Sequence, residues 1–175
     1  MNEKRTPQSM LMVGAGGIGT QLSELLTAAL RRVGLEGTIT LMDADTVEAS
    51  NLGHQRYTAS DIGHPKVNRL AKRLDDAASS LRVEALVENL RSEEQLNGYD
   101  LVVVCVDRPE PRRMVHAIEV PWLDVRCSGD GWMALSSASQ PALLDRMTPD
   151  HEPASCQVDG CLLYTSDAAD DLGRV

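Results

Sequence analysis

Met10-Leu11-Met12-Val13-Gly14-Ala15-Gly16-Gly17-Ile18-Gly19 decides how this chain is read. A short apolar run ends in a glycine turn of the form GxGGxG. Leu22, Leu25, Leu26, Ala29, Leu30 and Val33 then follow at helical spacing and predict one apolar face. Gly34 and Gly37 predict the end of that helix, and the β-branched run 38–43 predicts a second strand. Strand, glycine turn, helix and strand together make a βαβ unit, hence a parallel sheet.

Further along, residues 44–63 read as a polar loop, long beside the ~2–6 residues usual for such connections and therefore expected to be functional. Pro65 suits the first turn of a helix whose Val67, Leu70, Ala71, Leu74 and Ala78 face inward. Residues 81–88 read as a strand. Residues 100–106 read as a buried one, because Leu101-Val102-Val103-Val104-Cys105-Val106 shows no polar alternation. A helix is expected over 111–119 and strands over 122–127 and from 132 to 137. Weak periodicity over 141–153 predicts loop or the start of a crossing segment. The expected fold class is α/β: a Rossmann-like, doubly wound, mostly parallel sheet flanked by helices.

Composition narrows the function classes. The chain has 175 residues, 42% apolar and 25% charged, as one globular domain has. Lys and Arg number 17 against 26 Asp and Glu, a net charge of −9 that argues against nucleic-acid binding. No apolar run reaches the ~18 residues of a membrane span, and the polar N-terminus carries no signal-peptide pattern. Phe is absent, so the core is expected to be aliphatic. Cys105, Cys127, Cys156 and Cys161 form no CxxC pair, which fits a reducing, cytoplasmic setting.

A glycine turn after a strand lets backbone approach a phosphate, and the following helix aims its free N–H groups at the anion. Gly14, Gly16, Gly17 and Gly19 are therefore candidate nucleotide contacts, the bland alternative being tight strand-to-helix packing. Asp43, 24 residues beyond Gly19, is placed to accept bonds from ribose hydroxyls. That fits NAD, FAD or ATP alike. No GxxxxGK[ST] motif occurs, which argues against P-loop chemistry.

Other residues separate these ligands. Asp43-Ala44-Asp45-Thr46-Val47, Ser50-Asn51-Leu52, Gln55 and Ile62-Gly63-His64-Pro65-Lys66, then Val104-Cys105-Val106-Asp107 with Arg112 five residues on, resemble the ThiF/MoeB/HesA family over residues 10–127. The resemblance implies ATP-dependent adenylation of the C-terminal glycine carboxylate of a ubiquitin-like sulfur-carrier or modifier protein. It implies Lys66 and Asn51 at phosphates, Asp43 at the ribose, Asp107 holding Mg²⁺, and commonly a homodimer. Each residue also has a plainer reading: Lys66 as a solvated lysine opposing a helix dipole, Asn51 as a turn cap, Asp107 as a helix N-cap, Arg112 as a solvated helix residue.

The sequence departs from the family in two places. His54 stands where the family has a phosphate-contacting arginine, and a neutral imidazole does not replace a bidentate guanidinium, so Arg56 becomes the provisional substitute. Arg108 stands where the family has Asn after the aspartate. Arg5 is available for the arginine that relatives lend to a partner subunit. Cys105 and Cys127 read as inert core thiols and Cys156, in a polar loop, as a candidate acceptor thiol. The paired CxxC motifs that hold structural zinc in relatives are absent before Gly160, leaving zinc to a chain beyond it. Residues 161–170, CLLYTSDAAD, resemble a translated transposon-end sequencing adapter. The expected organisation is thus an incomplete adenylation domain over 1–160 and an adapter-derived tail over 161–175. A catalytically silent partner-binding relative and an NAD-dependent oxidoreductase remain as alternatives.

Overall fold

The computed structural model describes residues 7–128 and 131–148. Arg5, Cys156, Cys161 and the expected boundary at residue 160 lie outside the described residues. The elements are β1 (Ser9–Val13), α1 (Gly17–Arg32), β2 (Gly37–Met42), α2 (Lys66–Leu74), β3 (Leu81–Leu86), β4 (Leu101–Val104), α3 (Pro109–Ala117), β5 (Trp122–Ser128), β6 (Gly131–Ser136) and α4 (Pro141–Met147). The strands form one sheet in the order β3-β2-β1-β4-β5-β6, and only β6 runs antiparallel to its neighbour. The expected Rossmann-like, doubly wound architecture is what is found. Chain order reverses between β1 and β4, the place where such sheets open a ligand crevice.

The period-two geometry of β1 builds the core. Met10 and Met12 point to one face with Ile39, Leu41, Val67, Leu70 and Val103, where the side chains of α1 and α2 pack. Leu11 and Val13 point to the other with Met42, Val102, Val104, Val115, Trp122 and Leu135, covered by α3 and α4. Both faces of β1 and β4 are buried, which is why these strands read as unbroken apolar runs.

Three details differ from expectation. The innermost line of α1 is Gly19, Ser23 and Thr27 with Thr20, not its leucines. Ser23 and Thr20 return their hydroxyls to the helix backbone at Gly19 O (2.6 Å) and Gly16 O (2.9 Å), so small residues let the helix lie close to the sheet. Leu22, Leu26 and Leu30 flank that line, while Leu25 and Val33 are 70% and 74% exposed. Ala78 falls beyond α2, which ends at Leu74. Residues 141–147, expected as loop or the start of a crossing segment, form α4, whose Leu144 and Met147 pack on the second core.

Candidate functional site

The glycine turn is shaped by contacts that leave no room for side chains. Gly14 has φ +101°, and a Cβ there would lie 2.9 Å from Cys105 O. At Gly19 a Cβ would stand 2.0 Å from Gly14 O, an impossible approach that holds α1 against the end of β1. At Gly17 it would meet His54 O at 3.0 Å. Gly16 differs: a Cβ would meet nothing within 4 Å. The fold itself does not require glycine at 16, whereas a ligand pressed against the backbone would. Among the described residues no side chain caps the start of α1 and none in its first turn is acidic. Its N–H groups and positive dipole end are therefore not taken up by a side-chain cap or a first-turn carboxylate.

The turn is pinned from both sides. Ala15 N donates to Asp43 Oδ2 (2.7 Å) and Tyr57 OH donates to Ala15 O (2.8 Å). Asp43 Oδ1 accepts from Asp45 N (2.8 Å). Burial raises the Asp43 pKa against the lowering effect of these two amide bonds. Burial likewise pushes the Tyr57 phenol up, keeping it protonated as a donor. Asp43 thus braces the turn while lining the cleft.

Residues 44–66 fold back on themselves rather than straying as a loose loop. Val47 N donates to His64 O (2.9 Å), Gly63 N to Val47 O (2.9 Å) and Lys66 N to Asp45 O (2.9 Å). This places Lys66 at the first turn of α2 with 6% exposure, its Nζ 3.0 Å from Asp45 Oδ2, on the cleft wall. The solvated-lysine reading is therefore overturned. Asn51 is buried beside it: its Oδ1 accepts from Glu48 N (2.9 Å), so its carbonyl caps a turn while its amide nitrogen has no partner among the described residues.

Asp107 lies three residues past β4, exposed and on the cleft wall. The N-cap of α3 is Arg108, and Asp107 makes no cap bond, so the capping alternative is not what is found. No group of three metal-ligating side chains occurs among the described residues. Asp107, whose charge acts on Arg112, is one exposed carboxylate on this cleft wall, and Mg²⁺ takes one or two carboxylates plus phosphate oxygens. The residues present thus fit a magnesium-bearing nucleotide.

Arg56 is not brought to the cleft. It pairs with Glu24 of α1 at 2.9 Å, and Arg73 of α2 holds the same carboxylate at 2.8 Å. The chain turns inward at buried Tyr57, which leaves its neighbour Arg56 directed outward. His54, by contrast, lines the cleft. Cys105 is buried, and burial pushes its thiol up to about 12, an inert core thiol as expected. Cys127 is only half-buried and lines the cleft.

The expectations missed a buried charged group between α3 and β5. Asp124 of β5 is fully buried and accepts from Arg126 Nε (3.0 Å) and Nη2 (2.5 Å), with His116 Nε2 at 2.9 Å. Arg112 Nε stands 3.6 Å away, and Arg112 is 8% exposed rather than solvated. Burial alone would raise the Asp124 pKa, but the bonds from His116 and Arg126 and the nearby guanidiniums hold it low. Two spacings carry the signal: Arg112 and His116 share a helix face at i, i+4, and Asp124 and Arg126 share a strand face at i, i+2.

The whole cleft occupies about 1280 Å³, above the ~300–1,000 Å³ of an ordinary small-ligand pocket. Fold and cleft together define a doubly wound α/β protein with its crevice at the carboxyl edge of the sheet. The chain belongs to the ThiF family, whose pattern matches residues 2–160. It is 40% identical over 119 residues to the sulfur carrier protein adenylyltransferase of Thermus thermophilus, a match covering 65% of this chain and 42% of the relative. It is 33% identical over 117 residues to the molybdopterin-synthase adenylyltransferase of Haemophilus influenzae, covering 65% and 46%. The chain thus spans less than half the length of these curated relatives. The crystal structure of E. coli MccB with AMPCPP and MccA superposes with a TM-score of 0.60 at 23% identity, over 70% of this chain and 38% of that one, a likeness of fold. No described helix is long and apolar enough to cross a membrane.

Proposed function

We propose that residues 1–160 form an adenylation domain that uses ATP to activate the C-terminal glycine carboxylate of a ubiquitin-like sulfur-carrier or modifier protein. A carboxylate oxygen bonds to the α-phosphorus, the bond to the bridging oxygen breaks, and pyrophosphate leaves with the electron pair. Gly14, Gly16 and Gly17 with the start of α1 cradle phosphate, Gly19 holding that helix against the end of β1; Asp43 takes the ribose, and Asn51 Nδ2 and Lys66 Nζ take phosphate oxygens. Asp107 is the ligand for Mg²⁺, which when bound neutralises polyphosphate charge. Lys66 exchanges Asp45 for the departing pyrophosphate, stabilising charge where it develops. Positioning and charge neutralisation suffice, so no general base is required. The Gly-Gly terminus and a homodimeric assembly belong to the same proposal and rest on family membership.

The observation that carries this reading is the buried Lys66 on the cleft wall, with a single exposed carboxylate for its partner. Neither tight packing nor a dinucleotide site accounts for it. The relatives named as adenylyltransferases support the reaction class. A second reading, a silent ThiF-like binding module, is favoured by His54 in the arginine position and Arg56 turned toward Glu24. ATP–pyrophosphate exchange, run against a panel of sulfur-carrier proteins ending in Gly-Gly, separates the two. Exchange that depends on the carrier supports turnover. MgATP binding with no exchange across the panel supports the silent module.

A further inference from the structure

The glycine turn contains two peptide groups whose orientations are set by side chains from outside the turn. The Gly14–Ala15 peptide is held through Ala15 N, which donates to Asp43 Oδ2 (2.7 Å). The Ala15–Gly16 peptide is held through Ala15 O, which accepts from Tyr57 OH (2.8 Å) and, among the described residues, from no other group. Every described peptide is trans, and a trans peptide points its carbonyl and its N–H in opposite directions. A hydroxyl that holds Ala15 O toward buried Tyr57 therefore turns the Gly16 N–H the other way. Gly16 lines the cleft, whereas Ala15 and Tyr57 do not. Gly16 N makes no hydrogen bond among the described residues.

The phenol is itself clamped. The Arg73 guanidinium stands 5.9 Å over the centre of its ring, at the range of a cation–π contact. Arg73 Nη1 donates to Arg56 O (2.7 Å), and Nη2 pairs with Glu24 of α1 (2.8 Å). Tyr57 is thus fastened to α1 and α2, the two helices whose first residues, Gly17 and Lys66, line the cleft. Filling this space needs only an aromatic ring. The hydroxyl adds one directed bond, and that bond goes to the turn.

We propose that Tyr57 is a positioning residue for phosphate: its hydroxyl, acting through Ala15 O, aims the Gly16 N–H into the cleft at the polyphosphate of the nucleotide. The inference rests on the adenylation reading and adds to it a residue that never touches the nucleotide. A donor aimed in advance costs no reorganisation when the charge arrives, whereas a peptide left to rotate has to be ordered at that moment.

The test titrates the ¹⁵N-labelled full chain and Tyr57→Phe, which keeps the ring and deletes the hydroxyl, with the magnesium complex of the non-hydrolysable nucleotide AMPCPP. Adenosine, which has no phosphate, is the control. In the parent the Gly16 amide proton is expected to move downfield saturably with AMPCPP and to stay in place with adenosine. Tyr57→Phe is expected to bind AMPCPP about tenfold more weakly, as for a lost hydrogen bond to a charged group, and to show less than half of the Gly16 shift. Its affinity for adenosine is expected to change less than twofold, whereas loss of a merely structural residue would weaken both ligands. Equal weakening of AMPCPP and adenosine overturns the proposal, and so does an AMPCPP affinity that the substitution leaves unchanged. A Gly16 amide in the parent that AMPCPP binding does not move overturns it without recourse to any variant. These results strike the inference alone, because AMPCPP still binds. Failure of the parent to bind AMPCPP overturns the adenylation reading and the inference with it.

Discussion

Gly16 and Gly19 belong to one turn and should fail in opposite ways when a methyl is added. At Gly19 the methyl collides with backbone at Gly14, so Gly19→Ala should lose about 3 kcal/mol or more of stability in urea unfolding. At Gly16 the protein leaves the space open, and φ −79° suits alanine. Gly16→Ala should therefore stay within about 1 kcal/mol of the parent, yet bind MgATP more weakly by about tenfold or more, because the methyl occupies the phosphate's approach. Equal effects of the two substitutions on stability would contradict the distinction between a packing glycine and a ligand glycine.

At the scale of elements, two buried ionic devices tie the site to the scaffold. Asp61 caps a short 3₁₀ turn through Thr58 and pairs with Arg69 of α2 at 2.6 Å, fastening the folded-back segment to the helix that carries Lys66. Burial pushes its carboxyl up, but the bonds from Thr58 and Arg69 win and lower it from 3.8 to about 2. A carboxyl lowered on folding lends stability that is present above its unfolded pKa and lost as pH falls through the folded one. Acid titration should thus show stability falling between about pH 4 and about pH 2, with a slope that Asp61→Asn reduces. An unchanged slope in that variant would show that other carboxyls dominate acid unfolding.

The second device is Asp124. Replacing it by Asn leaves Arg112 and Arg126 without their buried counter-charge, so a loss of about 3–5 kcal/mol is expected in chemical denaturation. A loss under about 1 kcal/mol would show that water already shields the pair. This group also shows where sequence reading stops. Asp43, Lys66 and Asp107 were legible because each lies at the start of a helix or within three residues past a strand at the sheet's carboxyl edge, a position visible in a linear pattern. Arg112, His116, Asp124 and Arg126 converge only when α3 packs on β5; their spacings put each pair on one face of its element but do not say which face turns inward. Arg56 misled for the converse reason: adjacency to Gln55 says nothing about the turn at Tyr57 that directs it to Glu24.

For the whole molecule, the βαβ start and the apolar runs of β1 and β4 made the parallel sheet legible, since strands buried on both faces need no polar alternation. The helix α4 was not, because its burial depends on a core that residues from β1, β2, β4, α3, β5 and β6 complete. The resulting molecule sets a cation, Lys66, and a carboxylate, Asp107, on the walls of one crevice at the point where strand order reverses. Calorimetric titration of the full chain with MgATP and, separately, with NAD tests that arrangement most directly. The account predicts single-site MgATP binding, weakened about tenfold or more in Lys66→Met through loss of a charge-assisted contact, and no comparable heat from NAD. Tighter binding of NAD than of MgATP, or MgATP binding indifferent to Lys66→Met, would contradict it.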